Sequence, residues 1–175
     1  MKPASPFFEP HFEARRLWTA ALRSNKYPPS RVFLTLIMPT GEARYCCMGV
    51  ACELFRERYP ELLQASTAVL CASGYTCREF ADNFELNQRF FLPEMVRRWL
   101  GLADRAGTFR QGHEHLGYVS LAEMGDDGRP FHELADLIDA DAVRLADRAN
   151  DALLPRLPFQ FRRSTWGGLT RPHEC

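Results

Sequence analysis

Between residues 45 and 59 the larger apolar side chains fall at Tyr45, Met48, Cys52, Phe55 and Tyr59, spaced i, i+3, i+7, i+10 and i+14. That spacing predicts an amphipathic helix ending before Pro60. Immediately upstream the period is different. Residues 31–38 are rich in β-branched and aromatic types, Pro39-Thr40-Gly41 supplies turn chemistry, and Glu42 to Tyr45 can return as a short strand. Gly49 lies inside the helical stretch, where it costs about 1 kcal/mol relative to Ala, so a close approach by another part of the chain is expected there.

Other elements are built around this strand-to-helix handover. A helix is predicted from His11 to Ser24, with Ala14, Leu17, Trp18 and Ala21 on its apolar face and Arg15, Arg16 and Arg23 off it. Residues 67–72 and 75–80 read as a second hairpin around Ser73-Gly74, while the rest of 64–91 shows no assignable pattern beyond its aromatics, Phe80, Phe84, Phe90 and Phe91. Leu92 to Leu102 is the best punctuated helix: Pro93 suits the first turn, Met95, Val96, Trp99 and Leu100 form one face, and Gly101 suits the C-terminal cap. Residues 103–112 read as a loop and 116–124 as a short strand or a helix. Gly125-Asp126-Asp127-Gly128 reads as a turn before a helix carrying Phe131, Leu134, Ala135 and Ile138, and a further helix is predicted from Asp141.

The whole reads as a single compact α+β domain, mainly helical with a small antiparallel sheet. It spans residues 11–153, preceded by an extension over 1–10 and followed by a Pro/aromatic tail over 154–175. The tail either packs on the domain or binds a partner.

The chain has 175 residues, 22 basic and 22 acidic side chains and 46% apolar composition, enough for a core without staples. Zero net charge argues against non-specific nucleic-acid binding, and neither a P-loop nor a dinucleotide-binding glycine pattern occurs. No run approaches the roughly 18 apolar residues of a membrane span, and residues 1–10 lack the apolar core of an export signal. A cytoplasmic location and reduced thiols are therefore the expectation for the six cysteines. Charge is uneven along the chain: residues 111–150 carry three basic and nine acidic side chains, net −6. This block is either a solvated helical face or a surface that docks a basic partner.

Four stretches, 18–24, 45–54, 92–102 and 127–138, together resemble an uncharacterised family of small proteins encoded in bacteriophages, prophages and bacterial genomes. The string Tyr45-Cys-Cys-Met-Gly-Val-Ala-Cys52 is the most specific of its marks. The resemblance spans roughly residues 15–140, and departs in the long stretch before Leu92 and in the tail. It implies a setting, a phage or mobile-element accessory protein in the host cytoplasm, and no catalytic residue. Proteins of that setting often act by binding a host protein, including defence machinery such as CRISPR effectors.

Two function classes follow. The first is a non-enzymatic interaction protein whose contact surface is the acidic block, with Asp126, Asp127, Asp136 and Asp147, or the tail, with Arg162, Arg163 and Trp166. The second is a cysteine hydrolase or deamidase. Cys46 and Cys47 stand where a strand hands over to a helix, and the helix dipole lowers the pKa of a thiol placed in the first turn. Cys47-Met48-Gly49 weakly resembles the start of the catalytic helix in NlpC/P60 and papain-like enzymes. His115 to Val119 weakly resembles the strand bearing their base. On that reading Cys47 attacks a carbonyl, His115 or His113 is the base, and Asp126 orients the ring. The alternative for these thiols is that they are small apolar fillers of a core. Cys47, Cys52, His113 and His115 are acceptable zinc ligands by type, and His113 and His115 on a strand would share a side. However, Cys47 and Cys52 lie about 140° apart around a helix and no C-x2-C pair occurs, so no metal and no cofactor is expected. Glu123, Asp126 and Asp127 read as turn and cap residues, or else as carboxylates dividing acid and base roles.

Overall fold

A computed structural model describes residues 11–70, 74–84, 86–110 and 118–140. In chain order the elements are α1 (His11–Arg23), β1 (Thr35–Ile37), β2 (Ala43–Tyr45), α2 (Cys47–Arg58), β3 (Gln64–Leu70), β4 (Tyr75–Ala81), α3 (Glu94–Leu100), β5 (Thr108–Arg110), β6 (Tyr118–Ser120), α4 (Leu121–Asp126) and α5 (Phe131–Ala140). The four-stranded sheet has the order β2-β1-β4-β3 and every pairing in it is antiparallel. β5 and β6 form a separate two-stranded ribbon. The expected α+β domain, mainly helical with a small antiparallel sheet, is the architecture observed.

Helix α2 is the axis of the core. Every residue from Cys47 to Glu53 is buried, so no face of its first two turns meets water. Helices α1 and α3 both pack on it, and the Phe55 and Trp99 rings meet edge to face with centroids 5.5 Å apart. The close approach expected at Gly49 is real. A Cβ there would land inside the backbone carbonyl of Leu34, which also accepts the Cys46 N–H at 3.2 Å. The backbone just before β1 thus lies against α2 at a distance that only glycine permits.

Three readings of the sequence need correction, the first being that residues 103–112, read as a loop, contain strand β5, which is held by its pairing with β6. Arg15, placed off the apolar face of α1, is buried, whereas Leu17 is 36% exposed. The reason is non-local: the Arg15 guanidinium donates to the carbonyls of Leu100 and Gly101, both at 2.8 Å. It thereby satisfies the C-terminal carbonyls of α3, where a cation is favoured. The strand expected over 31–38 is reduced to Thr35–Ile37. Val32 adopts φ +70°, which breaks the extended run. The β3–β4 hairpin, by contrast, is longer than expected, pairing Gln64 with Ala81 through Leu70 with Tyr75.

Helix α3 ends at Gly101 in the left-handed conformation, as its punctuation predicts. The ambiguous stretch over 116–124 resolves, in its described part, into strand β6 and then helix α4. The join is a capping box in which Ser120 Oγ accepts the Glu123 N–H at 3.1 Å and Glu123 Oε2 accepts the Ser120 N–H at 3.1 Å. Helix α5 lies along α1, where Arg23 reaches both Asp136 and Asp139 at 2.7 Å. The helix expected from Asp141 and the tail lie outside the described residues.

Candidate functional site

The cysteine motif forms part of the wall between α2 and its neighbours. Cys46 is the N-cap of α2, and its Sγ accepts the Gly49 N–H at 3.4 Å. Cys47 is fully buried; its thiol donates to the Leu121 carbonyl at 3.5 Å and its own carbonyl accepts the Trp18 indole N–H at 2.8 Å. Cys52 and Cys77 are also buried, and all four are free thiols. Burial pushes the Cys46 thiol up to about 12. It pushes Cys47 well above the ordinary thiol range, with the neighbouring Cys46 adding to the effect.

Two opposing effects act on Cys47, and their sizes decide its state. A helix N-terminus favours a thiolate by about 0.3–1 kcal/mol. Removing a charge from water into a packed interior costs several times that. Desolvation wins, so the sulfur is held as a neutral thiol, the form that neither attacks a carbonyl nor binds a metal. Of the other residues named for catalysis, His113 and His115 lie outside the described residues. Asp126 points elsewhere: its carboxylate accepts the Val32 N–H at 2.6 Å, and burial raises its pKa above the ordinary value. Among the described residues no group of three or more His, Cys, Asp or Glu is placed to hold a metal ion.

The residues named for binding separate into two groups. Asp127 is exposed, as the C-cap of α4. Asp136 is exposed too, but one of its oxygens already faces Arg23. Asp147, Arg162, Arg163 and Trp166 lie outside the described residues. The acidic block is therefore, in its described part, both a solvated face and a set of intramolecular partners.

A feature that the sequence reading missed lies beside these acids. A cleft of about 490 Å³ opens between the end of α1, the segment 25–31 and the turn from α4 into α5. Among the described residues Arg23, Arg31, Arg129 and His132 line it, no carboxylate does, and Tyr27 and Phe131 supply apolar wall. The only advance signal was the clustering of Arg31 and Arg129 with proline and glycine turns, in two stretches about a hundred residues apart.

Among the described residues no helix is long and apolar enough to cross a membrane. No curated protein and no solved structure matches the chain. One family model does match, over residues 11–142, a span that starts at the first residue of α1 and runs just past the end of α5. The chain belongs to that family, described as a domain of unknown function, DUF8296.

Proposed function

We propose that the protein acts by binding another protein rather than by turnover. In the setting that its cysteine motif implies, it is an accessory protein of a phage or mobile element whose target is a host protein. The observation that carries this reading is the burial of Cys47: the sequence's best nucleophile is a neutral thiol bonded to the Leu121 carbonyl. The exposed carboxylates of the α4–α5 region, Asp127 and Asp136 foremost, supply a surface suited to a basic partner, and the tail with Arg162, Arg163 and Trp166 is the second contact region of the same proposal.

Iodoacetamide labelling near pH 6.5 tests the first half. Cys46, Cys47 and Cys52 should label only as fast as the protein unfolds, and rapid labelling of Cys47 in the folded protein would restore the hydrolase or deamidase reading. Affinity capture from host lysate tests the second half, comparing wild type with a variant in which Asp126, Asp127, Asp136 and Asp147 are all changed to Asn. Loss of a defined partner by a variant with native circular dichroism supports the acidic surface. Unchanged capture moves the contact to the tail, and unchanged capture after removal of residues 154–175 as well excludes both.

A further inference from the structure

The cleft beside α5 has a chemistry that protein docking does not use up. Among the described residues its lining carries three guanidinium groups and an imidazole and no carboxylate. The nearby acids sit outside it: Asp136 and Asp139 on Arg23, Glu133 at 3.5 Å from Arg129, and Asp126 under Val32. Arg31 differs from the other two arginines: among the described residues its guanidinium makes no direct hydrogen bond or ion pair, and its charge is felt only at a distance, by Asp126. It is nonetheless placed with care. Val32, a β-branched residue, is held at φ +70° by the Asp126 carboxylate on its N–H. Such a conformation costs on the order of 1–3 kcal/mol and persists only where the surroundings enforce it. It sets Arg31 over Gly128, where φ is +87° and a Cβ would strike the guanidinium. Phe131 and His132, in the first turn of α5, also line the cleft.

We propose that this cleft binds a small phosphate-bearing molecule, with Arg31 and Arg129 as the principal anion donors. Phosphate is favoured over carboxylate because the neighbouring acids already offer carboxylates to Arg23 and Arg129. A dianion gains more from these cations than a monoanion does. The volume exceeds what an inorganic anion fills and falls in the range of small-molecule sites. The remaining wall, from Tyr27 and Phe131, suits an organic body attached to the phosphate. This inference stands apart from the protein-binding proposal and survives its failure.

Isothermal titration of the full chain at low ionic strength tests it, with inorganic phosphate, ribose 5-phosphate and adenosine monophosphate as probes, and adenosine and acetate as controls. The expected result is saturable binding of a phosphate monoester, with the melting temperature raised by about 5–10 °C at a hundredfold excess over Kd. Monoester binding tenfold tighter than inorganic phosphate supports an organic ligand; equal affinity supports free phosphate at the same site. Arg31→Gln should weaken binding at least tenfold. Its guanidinium is exposed, so the unliganded melting temperature should stay within about 2 °C. Amide shifts at Phe131 and His132 on titration give a second readout that does not depend on any variant. No saturable binding of any phosphate, acetate binding as tightly as the phosphates, or undiminished binding by both Arg31→Gln and Arg129→Gln overturns the proposal.

Discussion

The surroundings of α2 and the turn between α4 and α5 use their polar groups in opposite ways. Around α2 the partners are internal: Trp18 donates to the Cys47 carbonyl, Cys47 to Leu121, and Cys46 receives the Gly49 N–H. Glu53, almost fully buried, is held by Arg56 at 2.7 Å and by Arg78 from β4. At the turn, Arg31 makes no direct hydrogen bond or ion pair among the described residues, Asp127 is exposed, and Arg129 meets only the exposed Glu133, at 3.5 Å. The difference teaches where chemistry is available. A packed interior neutralises or pairs whatever polar group it contains, because an unpaired one is costly there. A turn carried on two rigid helices can present groups outward at no such cost.

The two glycines that serve these regions give the sharpest contrast. Gly49→Ala should cost about 3 kcal/mol or more in urea denaturation, because the new methyl meets backbone and neither Leu34 nor α2 can move without disturbing the core. Gly128→Ala should cost only about 1 kcal/mol, since the obstructing atoms are the far end of a flexible arginine and the remaining penalty is that of a positive φ. Comparable losses at both positions would erase the distinction between packed interior and open rim.

The next effect is on the buried ion pair. Glu53→Gln should lower stability by about 2–3 kcal/mol, because Arg78 would keep its position against α2 without its counter-charge. A smaller loss would mean that Arg78 swings to solvent and that the interior tolerates an unpaired charge.

Asp126 links the two regions, and its two replacements should differ. Asp126→Ala removes the acceptor of the Val32 N–H and should cost about 1–2 kcal/mol. Asp126→Asn keeps an acceptor and removes a desolvated charge. Because the folded-state pKa is raised, the carboxylate contributes most stability below its unfolded pKa, near pH 4, and loses it as pH rises through the raised folded value. The Asn variant should therefore match or slightly exceed wild type at pH 7 and fall behind it near pH 3, as followed by thermal melts.

The smallest effect is on the surface of α3. Glu94, bonded by Arg97 at 2.7 Å and by Arg98 at 2.8 Å, has its pKa held down to about 2, chiefly by the Arg97 hydrogen bonds. A depressed carboxylate stabilises the fold above its unfolded pKa, near 4.5, and that contribution drains away as pH falls toward 2. Glu94→Gln should remove about 1 kcal/mol at pH 7, after allowance for solvent screening, and make stability flatter between pH 5 and 2.

Legibility in the sequence followed the range of the interactions. Helices α2 and α3 were readable because a 3.6-residue period, Pro93 and Gly101 are local signals. Gly49 was readable as a close approach, though not what approaches it. Arg15 was misread because the carbonyls it caps come from Leu100 and Gly101, 85 and 86 residues away. Strand β1 was overextended because nothing in Arg31-Val32-Phe33 announces a left-handed valine; that conformation depends on Asp126, 94 residues on. The cleft was invisible for the same reason, being assembled from residues 22–31 and 125–132.

By itself the sequence determined the main helices, the α+β class and the stopping points of the central helices, since periodicity and capping act over one or two turns of chain, whereas β5 and the β6–α4 join depended on pairing and packing. Whether Cys47 was nucleophile or filler could not be settled at that level. A first-turn thiol has the same local dipole in either case, and what changes its charge is how much of the rest of the molecule lies over it. The tertiary structure supplies that cover for Cys47 by closing α1, α4 and the Leu34 backbone around α2. It leaves the Arg31 guanidinium, without a direct hydrogen bond or ion pair among the described residues, on the strained segment beside α5.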